Sequence, residues 1–77
     1  MITLDLRGLK CPMPVLRTKK ALAGMREGER LTIECTDPLA GLDIPNLARE
    51  TGDVVTAQGR RGDVWVFEIE KAGAVAL

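Results

Sequence analysis

The sequence has 77 residues, 45% of them hydrophobic, and its 11 Lys and Arg balance 11 Asp and Glu for a formal charge of zero. That length holds one small domain and excludes a second, and the apolar fraction allows a packed core without metals or bridges. Neutral charge gives no support for a polyanion partner, and two cysteines without any histidine leave neither a disulfide-stapled scaffold nor a zinc site.

Met1 runs directly into alternating residues, without the basic and apolar stretches of a secretory leader, and no run approaches the ~20 apolar residues of a membrane span. The expectation is a cytoplasmic protein with free thiols. Ile2-Thr3-Leu4-Asp5-Leu6 alternates apolar and polar, as a strand with one buried face does, and Arg7 to Lys10 form a short loop. A helix is predicted from Pro12 to about Met25, with Val15, Leu22 and Met25 on one stripe widened by Leu16 and Thr18. Leu31 to Cys35 alternates again. A second helix is predicted from about Leu42 to Thr51, after a separate turn at Pro38 to Gly41. Asp43 would be its cap, with Pro45 in its first turn. Gly52-Asp53 closes it, and strands from Val54 to Gln58 and from Val64 to Ile69 follow, joined by Gly59 to Asp63. Trp65, Phe67 and Ile69 share one face of the last strand.

The order is therefore β-α-β-α-β-β: an α+β two-layer sandwich with both helices on one face of a four-stranded mixed sheet. Residues 1–71 make the single domain, and 72–77 read as a frayed tail. The first β-α-β unit should be a right-handed crossover with parallel strands, which brings Cys11 and Cys35 to the same edge of the sheet.

Cys11-Pro12-Met13-Pro14 stands at the start of the first helix. Proline is tolerated at the first helical position, so Pro12 reads as the first residue and Cys11 as the N-cap. Cysteine is a poor cap beside Ser, Thr, Asp or Asn, which points to chemistry as the reason for it. The partial positive charge of the helix start, with Lys10 on the other flank, is expected to lower the thiol's pKa and populate the reactive thiolate. Pro12 and Pro14 fix the helix entry and remove competing donors. Met13 either fills a gap in the core or shapes the surface that a partner meets.

Gly8-Leu9-Lys10-Cys11-Pro12-Met13-Pro14, then Thr36-Asp37-Pro38 and Asp43-Ile44-Pro45, resemble in order and spacing the TusA family of small sulfur carriers, also called SirA-like. The resemblance extends to about residue 71. It implies a fold like the C-terminal domain of bacterial initiation factor three. It also implies a sulfurtransferase-type activity, in which Cys11 accepts a sulfane sulfur as a persulfide and hands it to another protein. The donor would be a cysteine desulfurase or a rhodanese-like protein, and acceptors in the family serve tRNA thiolation, sulfur oxidation or related pathways. Neither a cofactor nor a metal is implied, and no direct nucleic-acid or membrane partner is expected.

The residues fit that chemistry independently. Persulfide formation needs a thiolate that attacks a donor's sulfane sulfur and then an exposed terminal sulfur that the next thiolate takes. With no histidine as a base, activation falls to the helix field and Lys10, and no pair of carboxylates or Gly-rich phosphate loop suggests a self-contained reaction. Cys35 shares the inward alternation of Leu31 and Ile33 and reads as a packed structural thiol; the alternative is a resolving cysteine, which needs its Cα within about 7 Å of that of Cys11. Asp37 and Asp43 read as turn and cap residues whose loop neighbours Cys11, with partner contact as a further role. Arg17, Lys19, Lys20 and Arg26 form a solvated helix face, or steer an acidic partner. Two other functions compete with sulfur transfer: a regulatory interaction module without sulfur chemistry, and a Cys11/Cys35 thiol–disulfide protein.

Overall fold

The structure, a computed structural model, describes residues 2–72. Its elements in chain order are β1 (Ile2–Leu6), α1 (Met13–Ala23), β2 (Arg30–Cys35), α2 (Ala40–Thr51), β3 (Val54–Arg61) and β4 (Val64–Glu70). The four strands form one sheet in the order β1-β2-β4-β3, with β1 parallel to β2 and the other two pairings antiparallel. This is the mixed sheet and element order read from the pattern.

Period-two alternation explains why the helices lie on one face. Register pairs Leu4 with Ile33 and Leu6 with Cys35, then Leu31 with Ile69 and Ile33 with Phe67. These inward residues meet Leu22 and Met25 from the α1 side and Ala40 and Ile44 from α2, in one core cluster. Leu31, Ile33, Phe67 and Ile69 are fully buried. Burial of side chains of this size stabilises the fold by about 1.5–3 kcal/mol each. The opposite face of the sheet is polar. There Glu34 meets both Arg61 and Arg7, and Arg30 meets Glu68 and Glu70. Such exposed pairs contribute below about 1 kcal/mol each.

Several element ends differ from the sequence reading. Pro12 is the N-cap of α1 and Cys11 lies outside the helix. The first α-type bond runs from the Leu16 N–H to the Pro12 carbonyl, while the Met13 N–H turns back to the Lys10 carbonyl at 2.8 Å. The Cys11–Pro12 peptide bond is cis. On α1 the buried residues are Pro14, Thr18 and Leu22, whereas Leu16 points outward. Thr18 is tolerated at full burial because its hydroxyl donates to the Pro14 carbonyl at 2.7 Å.

The second helix starts at Ala40, with Leu39 at its N-cap, so Asp43 is not its cap and Pro45 lies within it. The turn expected to stand apart runs directly into the helix, because Asp37 folds it. Its Oδ1 accepts the Leu39 N–H and its carbonyl accepts the Ala40 N–H. Pro45 removes only one backbone bond, and the buried stripe Ala40, Ile44, Leu47 and Ala48 holds the helix against the sheet. Gly52, at φ +79°, closes α2 in a Schellman turn, with the Asp53 N–H on the Ala48 carbonyl.

Strand β3 runs three residues beyond Gln58, leaving Gly62-Asp63 as a two-residue hairpin turn between paired Arg61 and Val64. Gly62 at φ +60° supplies the left-handed first position that such a turn needs. Of the tail expected to fray from residue 72, only Ala72 lies within the described residues, and its N–H donates to Asp53 Oδ1.

Candidate functional site

Cys11 leaves the carboxyl end of β1 on a loop fastened at two points to the segment after β2. The Gly8 N–H donates to Thr36 Oγ1 at 2.9 Å, and the Cys11 N–H donates to Asp37 Oδ2 at 2.7 Å. Asp37 is 7% exposed, and its two oxygens bind one backbone donor on each side of the junction. A buried carboxylate demands such partners, and these two place the cysteine loop against the start of α2. The Thr36-Asp37-Pro38 element is thus a clamp, and its turn role is as read from the sequence.

The side chain of Cys11 is exposed and lines a groove of about 290 Å³ between α1 and α2. Pro12, Val15 and Leu47 make the apolar part of the groove, while Asp43, Asn46 and Glu50 line it from α2. The Cys11 sulfur and one carboxylate oxygen from each of Asp37 and Asp43 lie within 4.8 Å of one another. These are three donor atoms of the kind a divalent cation accepts. Here, however, both Asp37 oxygens are engaged with backbone N–H groups.

This electrostatic setting reverses the expectation for the thiol. The Cys11 pKa is raised above its ordinary value, first by packing around the sulfur, then by the hydrogen bond its S–H donates to Asp43, then by the negative charges of Asp43 and Asp37. Each of these favours the protonated form. The Met13 N–H is taken by the Lys10 carbonyl, and the charges acting on the sulfur are the carboxylates of Asp43 and Asp37. Lys10 is exposed, and Arg17 and Lys20 lie on the exposed part of α1, outside the groove lining. Pro14 is buried under the first turn, and Met13 stands at the surface, 36% exposed.

Sequence reasoning missed the carboxylate pair, because it placed Asp43 at a helix cap. With the helix begun at Ala40, Asp43, Leu47 and Glu50 fall at i, i+4 and i+7, on one face, and that spacing is the signal that finds the groove wall. Cys35 is fully buried in the core, and burial followed by the charge of Asp37 pushes its thiol up to about 11. It is the packed thiol that its alternation predicted.

The family model for the sulfurtransferase TusA matches residues 2–71. The chain belongs to the TusA family. Among its relatives, the sulfur carrier protein TusA of Allochromatium vinosum is 38% identical over 69 residues, covering 90% of this chain and 91% of the relative. A Neisseria meningitidis protein described as a candidate sulfur carrier is 43% identical over 68 residues, covering 88% and 92%. The crystal structure of a SirA-like protein from Desulfitobacterium hafniense superposes with a TM-score of 0.82 at 28% identity, over 94% of this chain and 99% of that one. The two-layer TusA-type architecture and membership of a sulfur-carrier family thus agree with the resemblance read from the Cys-Pro-x-Pro region.

Proposed function

We propose that Cys11 carries a sulfane sulfur as a persulfide, taking it from a donor protein and passing it to a thiolate of an acceptor protein. The supporting observation is the placement of one exposed thiol in the wall of an open groove, while the second cysteine is sealed in the core. In loading, the Cys11 sulfur attacks the outer sulfur of the donor's persulfide. The donor's S–S bond breaks as the new one forms, the donor leaves as a thiol, and no external oxidant is consumed. Unloading is the same exchange with Cys11 as the leaving thiol. An open groove leaves the outer sulfur within reach of a second protein, which an enclosed pocket would not. Donors of the cysteine desulfurase or rhodanese type suit the first step, and acceptors in tRNA thiolation or sulfur oxidation, in the cytoplasm, suit the second.

Incubation with a cysteine desulfurase and cysteine, followed by intact-mass measurement, tests this reading. Wild type gains one sulfur that a reductant removes, and Cys11→Ser gains none. A sulfur that persists on the Cys11→Ser variant refutes it.

A further inference from the structure

Asp43 faces Cys11 from the first turn of α2, where the helix dipole favours a carboxylate but no hydrogen bond ties it to the backbone. It lies inside α2, one turn past the N-cap, and makes no capping bond to the helix backbone. Asp37 differs in kind: both its oxygens fasten backbone N–H groups, so it is committed to the fold. Asp43 is half-buried, lines the groove together with the thiol, and holds a carboxylate oxygen within 4.8 Å of the Cys11 sulfur.

We infer that Asp43 is a catalytic residue of the sulfur exchange, taking the Cys11 proton as the sulfur attacks and returning it to the departing thiolate. The inference rests on the persulfide reading above. A protonated thiol is a poor nucleophile, and attack requires that its proton leave as the S–S bond forms. The chain has no histidine to receive it. The other acidic groups nearby are Asp37, beside the sulfur but engaged with the backbone, and Glu50 on the groove wall, two helical turns along α2.

The step balances as follows. The Cys11 S–H gives its proton to the Asp43 carboxylate and its sulfur bonds the donor's outer sulfur. The inner sulfur leaves with the electron pair of the broken S–S bond and receives the proton from Asp43. One S–H and one persulfide enter, and one S–H and one persulfide leave. In unloading, Cys11 is the leaving sulfur and Asp43 holds the proton it regains. A resting thiol kept protonated is a weak nucleophile until its proton is taken, and a base beside it supplies that step during exchange.

Asp43→Asn tests this by separating two rates that an electrostatic role would move together. The first is alkylation of Cys11 by iodoacetamide across pH 6–10, which reports thiolate population; the second is single-turnover loading from glutathione persulfide, followed by intact mass. Removing the charge makes the thiol more acidic, and alkylation at neutral pH should rise about tenfold for every pH unit by which its titration midpoint falls. Removing the base should slow loading by about 10²-fold. Asp43→Glu should restore loading. The inference is overturned if Asp43→Asn accelerates both rates, or if loading is unchanged. If wild type alkylates at Cys11 but takes no sulfur, the carrier reading itself fails.

Discussion

Asp37→Ala removes the residue that fastens the cysteine loop to the start of α2, and its effect follows from two hydrogen bonds. Asp37 Oδ2 accepts the Cys11 N–H at 2.7 Å and Oδ1 accepts the Leu39 N–H at 3.1 Å. Bonds to a charged acceptor contribute about 1.5–3 kcal/mol each. Both donors regain some water when the side chain is cut back, so the lower end applies, and the expected loss is about 3 kcal/mol. A chain of this length has roughly 4–12 kcal/mol of stability in all. At about 4–8 °C per kcal/mol for a domain this small, the midpoint of thermal unfolding should fall by roughly 12–24 °C. Circular dichroism on heating measures that shift, and amide exchange locates it. The Cys11 and Leu39 amides should lose protection first, while those of β2 and β4 keep theirs. Asp37→Asn retains one acceptor oxygen and should lose about half as much. Unfolding within 1 kcal/mol of wild type, with both amides still protected, would refute the reasoning.

Two further outcomes follow from the packing. A Cβ on Gly41 would lie 2.8 Å from two atoms of the Trp65 indole, so Gly41→Ala must displace that ring or the first turn of α2. Overpacking of this kind costs about 1–3 kcal/mol. The single tryptophan's emission should shift with it, and an unchanged spectrum with unchanged stability would contradict the contact. In the native protein, exposed Cys11 should react with a disulfide reagent, faster as pH rises, while Cys35, buried and with its pKa at about 11, should react only on unfolding. Equal rates for the two thiols would show that the core around Cys35 opens.

Much of the fold is legible in the residues, and the parts that are not share a cause. Alternation in Ile2–Leu6, Arg30–Cys35 and Val64–Glu70 reports a half-buried sheet directly, so strands, order and inward faces follow from it. Helix starts are less visible, because they depend on which carbonyl takes which N–H. At Pro12 the turn from Lys10 to Met13 moves the cap one residue along, and at Ala40 the carboxylate of Asp37 starts the helix early. Both differences fall at the site. The first puts the sulfur under a helix field that Met13 does not provide, and the second hides Asp43 at a cap. The acidity of Cys11 therefore comes out of the sequence with the wrong sign, although the same residues correctly mark it as the exposed thiol. The strand beyond Gln58 is hidden because Gly59-Arg60-Arg61 has turn composition, and pairing with Trp65 and Val64 overrides it.

The groove between α1 and α2 has one further consequence, for traffic through the protein. Cys11 stands at a single corner, and the clamp of Thr36 and Asp37 holds its loop to the start of α2. If Cys11 carries sulfur as proposed, a supplier and a recipient must both reach that corner, and each then excludes the other there. Turnover then alternates between two binary encounters, with the charged carrier released free in between. Steady-state kinetics should give parallel double-reciprocal lines, the signature of a shuttle that docks, departs and docks again.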